Sequence, residues 1–389
     1  MSSAKWSAEA AIAGLSHHSC FQRRRMKNLR SLAAAVATAG LIFTATGCAS
    51  STDSGSAPES SLNGATEFGT GKMEDFCPDE PMKVAYAKGS NNSWTRITLE
   101  EMREEAAKCE NITDVLFTDA QGNQQQAISD INGLVAQGVK AIVVQPEFGQ
   151  AQLPALRAAH DAGVGVVTLI SSAGGTPGVD YADAVLEDTD ASGRDWVQWL
   201  DKTIGKGTVG FLGGTPGAAS SAQFFDGVKK ALADYPDLKL VSDSVIDTNW
   251  EAGQKKRVVS GLLAQHGRID AFITDFGLTD TGVIDAYKEA GLELPAIATN
   301  ATGNANGCQW EEDNYPFLGL EQTTTFGRIA LRKAVAAAQG MEDPEPSVVK
   351  IPTVIDTEAD KNPKCESGLP ADVDLSSSLG INELKAIFK

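Results

Sequence analysis

After Pro81 the chain alternates short β-rich runs with stretches whose apolar residues recur at helical spacing, and this alternation most constrains its fold. One such helical stretch carries Ile128, Ile131, Leu134 and Val135. Strands that alternate with helices predict parallel sheets covered by helices on both faces. The predicted strands are Lys83–Ala87, Asp114–Thr118, Ala141–Gln145, Val166–Ile170, Thr208–Leu212, Leu238–Ile246, Ala271–Thr274, Ala296–Thr299 and Phe317–Leu320.

The length of the chain, 389 residues, favours two sheets over one sheet of nine strands. A break between them is predicted near Glu187, where the strand Ala184–Leu186 is followed by an acidic turn, Asp188-Thr189-Asp190. No internal repeat of short period is present, but both halves share a βαβα rhythm. The fold class predicted from these patterns is therefore α/β, with two lobes.

The N-terminal region predicts an export signal over residues 1–47. A basic cluster precedes an uncharged run, Ser31–Gly47, and Cys48 follows at once. A membrane-spanning anchor is the alternative, but the run is short and diluted by Ala, Thr and Gly, against the roughly 20 apolar residues that a spanning helix needs. Residues 1–25 add nothing that a signal requires, so Met26 is an alternative start, which N-terminal sequencing of the precursor would test.

The sequence Ala45-Thr46-Gly47-Cys48 resembles a bacterial lipobox, although Leu is commoner than Ala at its first position. The resemblance implies that Cys48 is lipidated and anchors an exported protein to the outer face of the cytoplasmic membrane. The following residues are mostly Ser, Gly, Ala, Thr and Pro, a composition that cannot bury enough surface to fold. Residues 48–75 are therefore predicted to be a lipidated cysteine and a flexible tether.

Charge and cysteine content restrict the partners. Acidic residues outnumber basic ones, 51 to 33, and the formal net charge of -18 excludes nucleic acid as a partner. Four cysteines follow the tether, and an even number in an oxidising compartment predicts two disulfides, with three pairings open. Their spacing does not suit zinc, so neither a metal nor a cofactor is predicted. The four are Cys77, Cys109, Cys308 and Cys365.

Between Lys83 and Gly340 the order of segments resembles the ribose- and galactose-type periplasmic binding proteins, family I of the bacterial solute-binding proteins. The most specific stretch is TDAQGNQQQAISDINGLVAQGVKAIVVQP, and MKVAYAKGSNNSW and IDAFITDFGLTDTGVIDAYKEAG add to it. The resemblance implies two Rossmann-like, doubly wound lobes joined by a hinge of three crossings, with a ligand held between them. In that fold the pairings Cys77 with Cys109 and Cys308 with Cys365 each stay local.

The lobe boundaries follow from the same resemblance. The N-terminal lobe is predicted to comprise residues 81–186 and about 323–345. The C-terminal lobe is predicted to comprise residues 187–322 and about 346–389, the last part being a tail. Ligands of open α/β sheets lie outside the carboxyl ends of the strands, so the candidate residues are sought there.

Five candidates follow strand ends or lie at the hinge, and they offer the amides and flat rings that a sugar requires. The resemblance places Asn92, Trp94 and Trp250 on ligand-contact positions, Asn300 where the family usually has Asp, and Gln322 at a hinge crossing. Each also has a purely structural interpretation: a polar turn, a core aromatic or a turn cap.

The sequence departs from ribose-type members, which have Asp-Arg after the fourth strand and a second Arg on a later helix. Here those positions read Ile170-Ser171 and Phe224, so ribose itself is doubtful and Ser171 offers a hydroxyl instead. Together with Phe276, Phe224 favours a deoxy sugar, a polyol or a furanone-like ligand. Asp275 either supplies charge or caps the next helix. Lys88 either reaches the cleft as a cation or points outward from its strand end, which is the commoner arrangement.

Enzyme function is not predicted. His160 and His266 lie on predicted surface helices. The fragment Gly210–Gly217 lacks the spacing of a dinucleotide or phosphate loop, and no nucleophile elbow lies beside a usable histidine. The predicted function is a monomeric, extracytoplasmic solute-binding lipoprotein that delivers a small sugar-like molecule to the permease of an ABC importer. The alternative is a ligand sensor that presents its closed form to a membrane receptor or kinase.

Overall fold

The structure is a computed structural model that describes residues 69–389. The predicted signal, the predicted lipidation site Cys48 and most of the predicted tether lie outside the described residues. The last residues predicted as tether, 73–75, form a 3-10 turn together with Phe76 and are not flexible as predicted. Met73 and Phe76 are buried, because their spacing places both side chains on the side of the turn that faces the core. None of the helices in residues 69–389 combines the length and hydrophobicity needed to cross a bilayer.

Strands and helices alternate from Val84 onward, as predicted. The strands of residues 69–389 are β1 (Val84–Lys88), β2 (Val115–Asp119), β3 (Ala141–Gln145), β4 (Gly165–Ile170), β5 (Asp183–Glu187), β6 (Gly207–Gly213), β7 (Leu238–Leu240), β8 (Ile246–Asp247), β9 (Ala271–Thr274), β10 (Ala296–Asn300), β11 (Phe317–Leu320), β12 (Val348–Val349) and β13 (Thr353–Asp356). The α-helices of the same residues are α1 (Ser93–Ala106), α2 (Gln124–Ala136), α3 (Leu153–Asp161), α4 (Thr189–Ile204), α5 (Ala219–Leu232), α6 (Ala252–His266), α7 (Thr281–Ala290), α8 (Asn304–Asp313), α9 (Phe326–Ala338) and α10 (Ile381–Ile387).

The strands form two sheets, which confirms the predicted pair of α/β lobes. In the first lobe the strand order is β12-β5-β4-β3-β1-β2, and every neighbouring pair is parallel. In the second lobe the order is β13-β11-β10-β9-β6-β7, with β8 also paired to β6. Only β13, at the edge of the second sheet, is antiparallel to its neighbour. Every residue of β1, β3 and β4 is buried, as expected of strands covered on both faces.

Helices cover both faces of each sheet, and the apolar clusters between them form the core. In the first lobe α2 and α3 pack on one face through Ile131, Leu134 and Leu156, and α1 and α9 pack on the other. In the second lobe α6 and α7 lie opposite α4 and α5. Side-chain caps fix several helix starts next to strand ends, including Asn92 before α1 and Asp188 before α4.

Three crossings join the lobes. The first runs from β5 into α4, the second from β11 into α9, and the third from β12 to β13. The sheets thus place Val348–Val349 in the first lobe and Thr353–Asp356 in the second. The sequence analysis missed both strands, because β12 has only two residues and β13 is an edge strand with a single buried residue. It also predicted one strand over Leu238–Ile246, which the structure divides into β7 and β8, because Ser242 hydrogen-bonds Ser244 in a turn between them.

The two predicted disulfides are present in the structure. Cys77 is bonded to Cys109 in the first lobe, and Cys308 is bonded to Cys365. The second bond ties α8 to the start of a C-terminal segment, which we define as residues 366–388. This segment continues past the second lobe and ends in α10, which packs against α1 of the first lobe.

Candidate functional site

A cleft lies between the carboxyl ends of the strands of the two sheets. Helix starts and strand ends from both lobes converge there because parallel strands end at the same edge of each sheet. The residues that line it from the first lobe and the second crossing are Lys88, Asn92, Trp94, Gln145, Ile170, Glu187 and Thr323. Those from the second lobe are Ser220, Phe224, Trp250, Asp275, Phe276, Asn300 and Ala301.

Seven of the nine predicted ligand-binding residues line this one cleft, and two do not. The two exceptions, Ser171 and Gln322, are buried beside it. Their chain neighbours Ile170 and Thr323 line the cleft in their place. The seven that line it are Asn92, Trp94, Phe224, Trp250, Asp275, Phe276 and Asn300.

On the first lobe, the start of α1 positions an amide and an indole ring. The side chain of Asn92 accepts a hydrogen bond from the Thr95 backbone N–H at 3.0 Å, which caps the helix. The indole N–H of Trp94 donates to the Thr323 hydroxyl at 2.8 Å. This bond spans from α1 to the second crossing, so the ring orientation depends on the hinge.

Of the two orientations left open for Lys88, the structure has the one that reaches the cleft and not the commoner outward one. Its side chain is almost fully buried at the end of β1 and forms an ion pair with the equally buried Glu147. Its ammonium group also donates to the Ser90 hydroxyl at 3.1 Å and lies 5.7 Å from the Trp94 ring centre. A buried carboxylate compensates the cost of burying the ammonium group, so Lys88 enters the cleft as a neutralised cation.

On the second lobe, Trp250 is held at the cleft by Asp275 and by a neighbouring glycine. The indole N–H donates to one carboxylate oxygen of Asp275 at 3.0 Å, and its ring meets the Phe276 ring edge-on at 6.3 Å. A Cβ atom on Gly214 would lie 2.0 Å from the indole ring. The glycine-rich fragment after β6 therefore makes room for Trp250.

The sequence left open whether Asp275 supplies charge or caps the next helix. Among the described residues, its side chain neither caps that helix nor pairs with a cation. One oxygen accepts from Trp250 and the other accepts from the Ser221 hydroxyl. Burial raises the pKa of Asp275 to about 6, against the opposing effects of the Ser221 hydrogen bond and the Lys255 charge. At neutral pH this carboxylate is mostly ionised, and it orients Trp250.

Glu187 lines the cleft although the sequence analysis used it only to mark a lobe boundary. It is the last residue of β5, and one carboxyl oxygen accepts from the Ser192 hydroxyl at 2.6 Å. The other oxygen lies 3.4 Å from the Asn300 amide nitrogen, which donates to it from the second lobe. Its position at a strand end was the signal that could have identified it. The same signal applies to Gln145, at the end of β3.

Direct hydrogen bonds cross the cleft at its rim, so the lobes are closed on each other. The Gln223 amide accepts from the Ser172 backbone N–H at 3.2 Å and donates to the Ser172 carbonyl at 3.3 Å. The Ala219 backbone N–H donates to the Glu147 carbonyl at 3.2 Å. These contacts exist only while the two lobes meet.

Comparison with known proteins agrees with this geometry. The profile of the periplasmic binding protein domain family matches residues 84–342. The xylitol-binding protein of Mycolicibacterium smegmatis is 28% identical over 187 residues, which are 48% of this chain and 52% of that protein. The chain thus matches about half the length of that relative. The galactofuranose-binding protein YtfQ of Escherichia coli is 28% identical over 57% of this chain and 70% of its own length.

A solved structure matches across both lobes. It is the periplasmic binding protein component of the arabinose ABC transporter from Shewanella sp. ANA-3, bound to α- and β-L-arabinofuranose. The TM-score is 0.63 at 25% identity, covering 72% of this chain and 94% of the other.

Proposed function

Because this chain belongs to the periplasmic binding protein family, we propose that it is the extracytoplasmic sugar-binding component of an ABC importer. Its ligand is a small, uncharged sugar or polyol held between the lobes. One observation carries this proposal: amide, hydroxyl and carboxyl groups share a single closed cleft with four aromatic rings contributed by both lobes. Polar groups of that kind match sugar hydroxyls, and the rings match the C–H faces of a sugar.

The charges in the cleft favour an uncharged ligand. Lys88, the only cation that lines the cleft among residues 69–389, is already paired with Glu147. An acidic sugar would therefore find no unpaired cation, and the ionised Asp275 would repel it. The ring-rich wall formed by Phe224, Trp250 and Phe276 suits a compact ring with few hydroxyls.

The relatives support a furanose ring or a polyol as the form bound. Two of the related proteins are named for xylitol and galactofuranose, others are named for ribose and xylose, and the matching solved structure holds L-arabinofuranose. The two arginines of ribose-type members are also missing, since Ser171 and Phe224 occupy their positions here, and this supports the same choice.

The proposal includes export and a lipid anchor at Cys48, supported by the basic cluster, the apolar run and the lipobox-like sequence. In this proposal the protein acts as a monomer and presents its closed form to the permease. Labelling of cells with a radioactive or clickable palmitate should mark the wild-type protein but not Cys48→Ser, which should be released to the medium.

A thermal-shift screen tests the ligand class, because a ligand that binds only the folded state raises the melting temperature. The sugar panel consists of L-arabinose, D-ribose, D-xylose, D-galactose, D-fucose, xylitol and myo-inositol, with D-glucuronate and amino acids as controls. We expect at least one member of the sugar panel to stabilise the protein, and D-glucuronate not to do so. Stabilisation by amino acids alone would contradict the proposal.

A further inference from the structure

Glu187 is a buried acid in the cleft that has no cation partner among residues 69–389. Only 5% of the surface of Glu187 is exposed, yet the residue lines the cleft. Its two carboxyl oxygens accept hydrogen bonds from the hydroxyl of Ser192 and the amide of Asn300. The groups that shift its pKa most include no Lys or Arg. This contrasts with Lys88, whose burial in the same cleft is compensated by Glu147.

Such a site favours the neutral acid. The pKa of Glu187 is raised to about 8, mainly by burial and to a smaller extent by the nearby carboxylates of Asp188 and Asp275. The hydrogen bonds from Ser192 and Asn300 lower the pKa and only partly offset the burial. At pH 7 the group is therefore mainly a carboxylic acid, which has one O–H to donate as well as oxygens that accept.

Asn300 supplies the complementary group from the other lobe. It is 3% exposed, it lines the same cleft, and its amide oxygen is buried without a hydrogen-bond partner among the described residues. A buried acceptor without a partner is costly and calls for a donor. A ligand hydroxyl is such a donor, and it can accept a hydrogen bond at the same time.

We propose that Glu187 contacts the ligand directly, as a neutral carboxylic acid that donates to a ligand hydroxyl bound beside Asn300. The inference rests on the proposed function and deepens it, because it specifies a neutral hydroxyl compound as the ligand class. Glu187 ends β5 in the first lobe, and Asn300 ends β10 in the second. One hydroxyl bound by both residues would hold the lobes together, so this contact also favours closure.

The test is the pH dependence of affinity, measured by calorimetry with the member of the sugar panel that stabilises the wild type most. If the neutral acid is required, the wild-type dissociation constant should be about tenfold larger at pH 9 than at pH 7, as expected for a pKa of about 8. Asp275 is already ionised over this interval and adds no change. Glu187→Gln keeps a donor at every pH, so its affinity should change less than about twofold, and Glu187→Leu should bind weakly throughout.

Glu321 provides the matched control. It is also fully buried, burial likewise raises its pKa to about 8, and it hydrogen-bonds Thr302 at the second crossing without lining the cleft. Glu321→Gln should therefore retain the wild-type loss of affinity between pH 7 and pH 9. Circular dichroism melting curves establish that each variant is folded.

Two failures are distinguishable. Equal pH profiles for the wild type and Glu187→Gln, with sugar binding intact, would overturn the contact and leave the proposed function standing. A folded wild type that no member of the sugar panel stabilises would overturn the sugar assignment, and this contact with it.

Discussion

Trp250 is fixed in position before any ligand binds. Its indole N–H is bound by Asp275, its ring contacts Phe276, and Gly214 leaves the space that the ring occupies. Both Asn249 and Trp250 have positive φ angles, of 54° and 53°, which bulky side chains adopt only when their surroundings compensate the strain. Trp250 is held in this strained backbone conformation and is partly buried at the cleft, so it is suited to present a flat ring to a ligand.

Trp250→Ala should weaken binding of the preferred panel sugar by about 10- to 100-fold, or about 1.4 to 2.7 kcal/mol, because the stacking surface is lost. Isothermal calorimetry gives the affinity. Trp199→Phe is the matched control: Trp199 is buried on α4, donates to Asp356 and does not line the cleft. It should lower the melting temperature and leave the affinity unchanged. Unchanged affinity in folded Trp250→Ala would remove Trp250 from the site.

At the scale of residues, sequence reasoning worked where a side chain directly follows a predicted strand. Asn300 and Asp275 were identified in this way, and the structure brings them into the same cleft as Trp94. It could not decide the orientation of Lys88, because the carboxylate that holds it inward, Glu147, is 59 residues away along the chain. A partner at that separation becomes visible only when the sheet has been assembled.

The C-terminal segment is an element that neither lobe contains alone. On the second lobe, the backbone N–H groups of Asn304 and Ala305 donate to the carbonyls of Val373 and Ala371, each at 2.8 Å. On the first lobe, Ser377 and Ser378 donate to the buried carboxylate of Glu101. Their neighbours Leu375, Leu379 and Leu384 form an apolar cluster with Ile97 of α1. The segment is therefore attached on both sides of the hinge.

Replacing Cys308 and Cys365 by Ser should destabilise the protein by about 2–4 kcal/mol in urea unfolding, since the bond closes a long loop. It should also expose the C-terminal segment to limited proteolysis under native conditions, because the bond holds its start on α8. The control is Cys77→Ser with Cys109→Ser, which should cost comparable stability without new cleavage there. Equal protease resistance of the two double variants would contradict this role of the bond.

Element boundaries were predictable wherever an apolar run was long enough to be buried on its own. β3, β9 and β11 have the predicted limits, and the alternation gave the number of lobes. β12 was missed because two residues carry too little pattern, and β13 was missed because only one of its four residues is buried. Both become strands by pairing with β5 and β11. The turn that splits β7 from β8 depends on hydrogen bonds between serines, which hydrophobicity does not reveal.

At the scale of the whole molecule, closure depends on contacts that do not involve a ligand. The Gln223 amide and the Ser172 backbone exchange two hydrogen bonds at the rim of the cleft, and Ala219 donates to Glu147 nearby. Their free energy adds to that of a bound ligand, so they set how much of the protein is closed before binding.

Gln223→Ala should therefore weaken affinity for the preferred panel sugar by about 5- to 150-fold, given roughly 0.5–1.5 kcal/mol for each of its two net hydrogen bonds. Small-angle X-ray scattering of the ligand-free variant should give a radius of gyration at least as large as that of the wild type, and saturating sugar should bring both to the same smaller value. Gln126→Ala, on the exposed face of α2, should behave as the wild type. A Gln223→Ala variant with wild-type affinity would show that the rim bonds do not influence closure.

The attachment of the C-terminal segment to both lobes has a mechanical consequence. The three covalent crossings already act as a hinge between the lobes. The C-terminal segment adds a fourth connection, attached by a disulfide at one end and by an apolar cluster at the other. Translation of one lobe past the other would break the contacts of this fourth connection, whereas rotation about the axis of the crossings would preserve them. The fold thus narrows a wide range of imaginable movements to a single pivot.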